Sequence, residues 1–169
     1  MKTICFYLIL FMVTTPILSQ DKMEIKSAKI TFTFVNNDVD GSISDFKSSS
    51  NIDFENLSGS TFEGSAAVET LKTGNFLRDW SLKGGKYFDA DAYPQITFTS
   101  SEVLTNAKGF TVKGTLTIKD TSKPIAIDFI KNGKQLTGTV TLNSYDYGIQ
   151  IKKNREQNNV VVQMIFDLQ

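Results

Sequence analysis

Hydrophobic and polar residues alternate along most of the chain downstream of residue 20, which is the pattern of β-strands whose two faces meet different surroundings. The alternation is cleanest from Phe110 to Ile118, where Val112 and Leu116 share one face with both end residues. The predicted strands are Lys22–Asn36, Asn51–Asn56, Phe62–Leu71, Gln95–Ser101, Phe110–Ile118, Ile125–Ile130, Leu136–Leu142 and Val160–Leu168.

Short turns join most of these strands, with hairpin signals at Asn106–Gly109 and Asn132–Gly133. Strands connected in this way pair in antiparallel fashion. An antiparallel sheet of about eight strands with one apolar face avoids exposed edges by closing into a barrel. The sequence therefore predicts an all-β fold, a single eight-stranded antiparallel barrel, and it shows no internal repeat or interdomain linker.

One segment, Asn75–Gly84, breaks the alternation and predicts a short helix. Its first residue is a good N-cap and its final glycine can end the helix. Phe76, Leu77 and Trp80 fall on one face at helical spacing. Because so short a helix is not stable alone in water, we expect this face to pack on the sheet, as core or as a lid.

The first residues follow a third pattern. A short positive start at Lys2 precedes the apolar run Ile4–Val13, and Thr14–Gln20 then supplies a breaker and small residues. This arrangement predicts a signal peptide, since the run is too short to span a bilayer. Cleavage after Ser19 would leave residues 20–169 as one domain in the periplasm or outside the cell. A buried N-terminal helix or an uncleaved anchor is the alternative.

The composition of the chain excludes several kinds of catalytic, metal and nucleic-acid site. The chain has no histidine, and its one cysteine, Cys5, lies inside the apolar run and not at its end, where a lipoprotein signal would need it. A Ser-His-Asp triad, a Cys-His pair and the usual zinc sites are therefore excluded. Lys and Arg total 18, as do Asp and Glu, which leaves no basic footprint for nucleic acid. We predict a protein that is not an enzyme and needs no metal or cofactor.

Paired carboxylates are the remaining candidates for catalysis. Asp38 with Asp40, and Asp89 with Asp91, could serve a hydrolase as acid and base. Each pair stands in a turn-like context beside glycine or proline, which favours solvated loop charges.

Four segments carry a resemblance to a known family. They are Val39–Phe46, Thr73–Asp79, Tyr87–Ser100 with its Tyr-Pro-x-Ile-x-Phe-x-Ser run, and Gly114–Ile118 followed by Lys123-Pro124. Together they resemble the YceI-like family of exported, lipocalin-like barrels, also called polyisoprenoid-binding proteins. The family often has histidine where this chain has Ser81, and Thr121-Ser122 replaces a more usual Gly-Val.

The resemblance implies an elongated barrel that binds a long apolar chain, a polyisoprenoid or another amphipathic lipid. It implies at most transient membrane contact, and it leaves the oligomeric state open, with a homodimer as one option. The residues predicted to bind ligand, in the barrel interior and lid, are Phe32, Phe34, Phe54, Val68, Arg78, Trp80, Phe88, Phe98, Val112, Leu116, Phe129, Val140, Val162 and Met164.

Two questions stay open at the level of sequence. The inward apolar side chains could instead fill the barrel, which would make it a solid interaction or stress-response module. Arg78 could tie the helix to nearby carbonyls, meet an anionic head group, or be solvated.

Overall fold

The computed structural model describes residues 22–169, so the predicted signal peptide lies outside the described residues. Within these residues, one helix, α1 (Phe76–Lys83), accompanies nine strands. The strands are β1 (Ile25–Phe34), β2 (Val39–Ile43), β3 (Lys47–Ser48), β4 (Glu63–Ala67), β5 (Gln95–Asn106), β6 (Gly109–Ile118), β7 (Thr121–Asn132), β8 (Gln135–Asn143) and β9 (Asn159–Leu168). Short 3₁₀ turns lie at Val35–Asn37, Leu57–Gly59, Val68–Thr70, Ser144–Tyr147 and Arg155–Gln157.

All nine strands belong to one antiparallel sheet in the order β2-β1-β9-β8-β7-β6-β5-β4-β3. The sheet curls into a half-barrel, which confirms the predicted all-β, lipocalin-like class. Near its first edge, Ser42 of β2 exchanges backbone hydrogen bonds of 2.9 and 3.0 Å with Lys72, which follows β4. This pair draws the two edges of the sheet together at one end.

The strands after residue 94 follow the predicted alternation, whereas the N-terminal part differs in its elements. Asn51–Asn56 is not a regular strand, because only single bridges join Asn51 to Thr61 and Ile52 to Met23. The cause is Asp53, whose carboxylate accepts hydrogen bonds from the backbone N–H groups of the second and third residues after it, at 2.9 and 3.0 Å. An aspartate used in this way bends the chain and ends strand pairing.

Two neighbouring predictions also need correction. The expected strand Phe62–Leu71 stops at Ala67, because the Thr70 hydroxyl donates back to the Ala67 carbonyl at 2.6 Å and supports a 3₁₀ turn. Conversely, β2 forms where the sequence predicted no strand. It pairs with β1 from Phe34↔Val39 to Ile30↔Ile43 and, with the short β3, raises the strand count to nine.

Five phenylalanines form a packed layer across one end of the half-barrel. Ring centroids lie 5.2 Å apart for Phe46 and Phe166, 5.6 Å for Phe62 and Phe129, and 5.5 Å for Phe110 and Phe129. We call these five residues the aromatic layer. Offset and edge contacts at such distances add to the free energy gained from burial alone, so this end is a solid core.

Helix α1 begins as predicted, with the Asn75 side chain accepting the backbone N–H of Arg78 at 3.0 Å. The predicted packing of its apolar face is wrong. Phe76, Leu77 and Trp80 remain 80%, 72% and 73% exposed, so Trp80 belongs to neither core nor lid. Within residues 22–169, no helix has the length and hydropathy needed to cross a membrane.

Candidate ligand-binding cavity

A cavity of about 280 Å³ lies inside the half-barrel, bordered by the aromatic layer and by α1. The sheet register brings Phe34, Leu142 and Val160 to the same end, and all three line the cavity. Asn37 and Arg78 also line it and are themselves exposed, so the cavity reaches solvent at this end. We call it the α1 end.

The lining follows from strand alternation. Every second residue of β9 in this region lines the cavity, namely Val160, Val162, Met164 and Phe166. Successive side chains of a strand point to opposite faces, so an alternating sequence yields an almost wholly apolar interior. At about 3.3 Å per residue, the run from Val160 to Phe166 gives a cavity length of roughly 20 Å along the strand.

Polar groups at the α1 end are organised around Thr73. Asp79 accepts the Thr73 backbone N–H at 2.7 Å and also its hydroxyl, while Arg78 donates from Nε to that hydroxyl at 2.7 Å and from Nη2 to the Thr73 carbonyl at 2.8 Å. The hydroxyl bond is the main reason that the pKa of Asp79 is lowered. Arg78 therefore ties α1 to the chain after β4. The tie uses two of its five N–H donors.

A second polar group at the cavity wall belongs to the loop between β8 and β9. Tyr147 lines the cavity and is 3% exposed. Burial, with a smaller contribution from the Asp146 charge, raises the pKa of Tyr147 to about 12. Asp146 accepts from Arg155 at 2.8 and 2.6 Å, and this bonding lowers the pKa of Asp146. The paired charges hold the loop in place.

Most predicted site residues line the cavity, and their role in binding stays a prediction. Those at its wall are Phe32, Phe34, Arg78, Phe88, Phe98, Leu116, Phe129, Val140, Val162 and Met164. Phe54, Val68, Trp80 and Val112 are not at the wall. Val112 is fully buried and packs in the same cluster as the aromatic layer, and Phe54 packs against that cluster. Val68 packs in a separate cluster, and Trp80 faces solvent.

Sequence reasoning missed several residues that line the cavity. They include Ile30, Val39, Ile43, Leu82, Ile96, Ile118, Ile125, Leu142, Tyr147, Ile149 and Val160. Ile96, Ile118 and Ile125 stand in phase with predicted residues of their strands, so alternation could have found them. Tyr147 and Ile149 lie in the loop after β8, for which alternation gives no information.

The chain matches the family model for the YceI-like domain over residues 21–169. It belongs to the YceI-like family. Among curated relatives, a UPF0312 protein of Yersinia enterocolitica is 33% identical over 88 residues, which is 52% of this chain and 46% of that protein. A UPF0312 protein of Yersinia pestis is 31% identical over a stretch of the same extent. The chain thus spans about half the length of the curated relatives it matches.

Two solved structures share the fold of this chain at low sequence identity. Burkholderia cenocepacia BcnA has a TM-score of 0.69 at 22% identity, covering 83% of this chain and 94% of that one. A domain from Saccharophagus degradans, described as polyisoprenoid binding and implicated in plant cell wall breakdown, has a TM-score of 0.59 at 12% identity, covering 88% of this chain and 97% of that one.

Proposed function

We propose that this chain binds one long apolar molecule, of the polyisoprenoid or fatty-acyl type, in the cavity at the α1 end. The observation that carries the proposal is the cavity of about 280 Å³ with its almost wholly apolar wall. Protein interiors are close-packed and leave few voids larger than a water molecule. A space of this size at a barrel mouth is typical of a ligand site.

The shape of the cavity supports a chain-like ligand. A volume of about 280 Å³ extended over roughly 20 Å of strand is narrow, and it suits one extended hydrocarbon chain better than a compact ring system. The structural neighbour described as a polyisoprenoid-binding domain supports the same choice. The aromatic layer would contact the far end of the ligand's hydrocarbon chain, since Phe129 and Phe166 border the cavity.

The head group of such a ligand would lie at the α1 end. Arg78 borders the cavity there, and the N–H donors that do not bond Thr73 suit a phosphate or carboxylate. We therefore extend the proposal to an amphipathic lipid with an anionic head group. Binding occurs without chemical change to the ligand.

Several observations support binding without catalysis. The chain has no histidine. Asp38 and Asp89, one from each carboxylate pair, adopt left-handed backbone angles with φ of 50° and 52°. Aspartate tolerates that region in turns, which supports the interpretation of these pairs as loop residues. We also propose that the chain is exported to the periplasm or secreted, on the basis of its N-terminal pattern.

Native mass spectrometry of the protein purified from its own host tests the ligand. We expect a mass above that of the polypeptide and one dominant lipid in the organic extract. A polypeptide mass alone, together with an extract that contains no lipid and no uptake of added prenyl or acyl chains, would contradict the proposal.

A second candidate function has one observation in its favour. The aromatic layer fills part of the half-barrel, as a solid interaction module would require. Its contact surface would include the loop between β8 and β9, which is ordered around Asn158, a fully buried residue that accepts two backbone N–H groups at 3.0 and 2.8 Å. The same mass spectra decide between the two functions, because this one requires no lipid.

A further inference from the structure

Helix α1 exposes three of its four large apolar side chains to solvent. Phe76, Leu77 and Trp80 are 80%, 72% and 73% exposed, and we call them the exposed face of α1. At about 100° per residue, the three fall within roughly one third of the helix circumference. Arg78 and Leu82 occupy the opposite side and line the cavity. One helix thus separates the cavity from an apolar surface that no side chain of residues 22–169 covers.

The size of this face limits what can cover it. Large side chains present roughly 150–250 Å² each, so the three together offer on the order of 450 Å². A stable protein partner, including a second copy of this chain, buries about 800 Å² on each side. A bilayer needs only a few inserted side chains. Tryptophan is enriched at membrane interfaces, and helices that lie in the interface bury tryptophan, phenylalanine and leucine.

We propose that the exposed face of α1 inserts into the interface of a lipid bilayer and places the α1 end of the cavity against the membrane. The inference rests on the proposed function, since a carrier of a water-insoluble chain must load and release it. The geometry supports this, because Arg78 and Leu82 line the cavity directly behind Phe76, Leu77 and Trp80. A hydrocarbon chain could then pass between bilayer and cavity with little exposure to water.

The charges near the exposed face of α1 indicate that its attraction to a bilayer is apolar and not electrostatic. Lys83 Nζ lies 3.3 Å from the Glu69 carboxylate, and Asp79 is held by Thr73. The two positive charges of α1, Arg78 and Lys83, are thus matched in number by Asp79 and Glu69, which leaves no net positive charge there to select anionic lipids. We therefore expect binding to vesicles of phosphatidylcholine alone, with little dependence on salt.

Trp80 makes the test direct, because it is the only tryptophan in the chain. Its fluorescence reports on α1 whatever other part of the chain touches the vesicle. We expect a blue shift on addition of phosphatidylcholine vesicles, quenching by brominated phosphatidylcholine, and co-flotation of protein with the vesicles. Replacement of Phe76 and Leu77 together by serine should weaken partitioning by roughly a hundredfold, because each buried apolar side chain contributes about a factor of ten.

A matched control removes the same kind of side chain elsewhere. Leu104 and Ile130 are 40% and 52% exposed on β5 and β7, and the double serine variant at these positions should partition like the unaltered protein. Equal losses in both double variants would overturn the inference. So would a Trp80 shift that needs no vesicles and rises with protein concentration, which would mean that a second copy covers the face.

The result of this vesicle test can be distinguished from the result of the mass-spectrometric test of the proposed function. Protein that carries lipid by mass spectrometry but neither floats with vesicles nor shifts Trp80 emission would overturn membrane docking alone. Protein that docks but never holds a lipid would overturn the ligand-binding function instead.

Discussion

Arg78 contacts Thr73 twice, through Nε to the hydroxyl at 2.7 Å and through Nη2 to the backbone carbonyl at 2.8 Å. The same threonine donates its backbone N–H to Asp79 at 2.7 Å. This network holds α1 at the cavity end and explains why threonine, arginine and aspartate occur together in the segment Thr73–Asp79. A bidentate contact of this kind needs the planar fork of arginine.

Replacement of Arg78 tests both of its roles. Arg78→Lys keeps the charge but loses the paired contact, so we expect the free energy of unfolding in urea to fall by about 1 kcal/mol. Arg78→Gln also removes the charge. If Arg78 binds an anionic head group, Arg78→Gln should lower retention of a prenyl phosphate more than that of a neutral prenyl alcohol, and Arg78→Lys should not. Equal losses for both ligands would assign Arg78 a structural role only.

Gly114 marks a place where the sheet has no room for a side chain. A Cβ atom there would lie 2.4 Å from the Thr99 carbonyl oxygen and 2.5 Å from the Phe98 ring. Gly114→Ala should therefore destabilise the protein by about 1–3 kcal/mol, as overpacked cores do, in a urea titration. Gly85→Ala is the matched control, because its nearest neighbour would lie 3.9 Å away. A neutral Gly114→Ala would show that β5 and β6 can separate locally.

Acid should weaken the loop between β8 and β9 through Asp146. Its bonds to Arg155 lower the folded-state pKa below the ordinary value of 3.8. A lowered pKa contributes stability that is present above pH 3.8 and lost as the pH falls through the folded-state value. Asp146→Asn should reduce the urea midpoint slightly at neutral pH, since the pair is partly exposed, and should reduce the loss on acidification. Unchanged acid sensitivity would assign the loss of stability to other carboxylates. One is Asp167, whose pKa is lowered mainly by its hydrogen bond from Ser27.

The sequence predicted the fold and the inward faces of the later strands because alternation reports directly which side of a sheet each residue occupies. It could not predict how deep along the barrel each residue lies. Val112 and Val140 both point inward, yet Val112 is fully buried in the cluster of the aromatic layer and Val140 lines the cavity. Helical spacing likewise identified the apolar face around Trp80 but not that solvent lies against it. How deep a residue lies in the barrel, and what it packs against, depends on strand pairings between residues that are distant in sequence.

That difference in depth provides the sharpest test of the cavity. Val140→Phe adds volume where space exists, so it should obstruct the narrow cavity, change stability by less than about 1 kcal/mol, and sharply reduce lipid retention in native mass spectra. Val112→Phe adds the same volume to a site that is 0% exposed, so it should destabilise the protein by about 1–3 kcal/mol. The variant that folds stably would thus be the one that loses its ligand. Full lipid retention by a stable Val140→Phe variant would place the ligand outside this cavity.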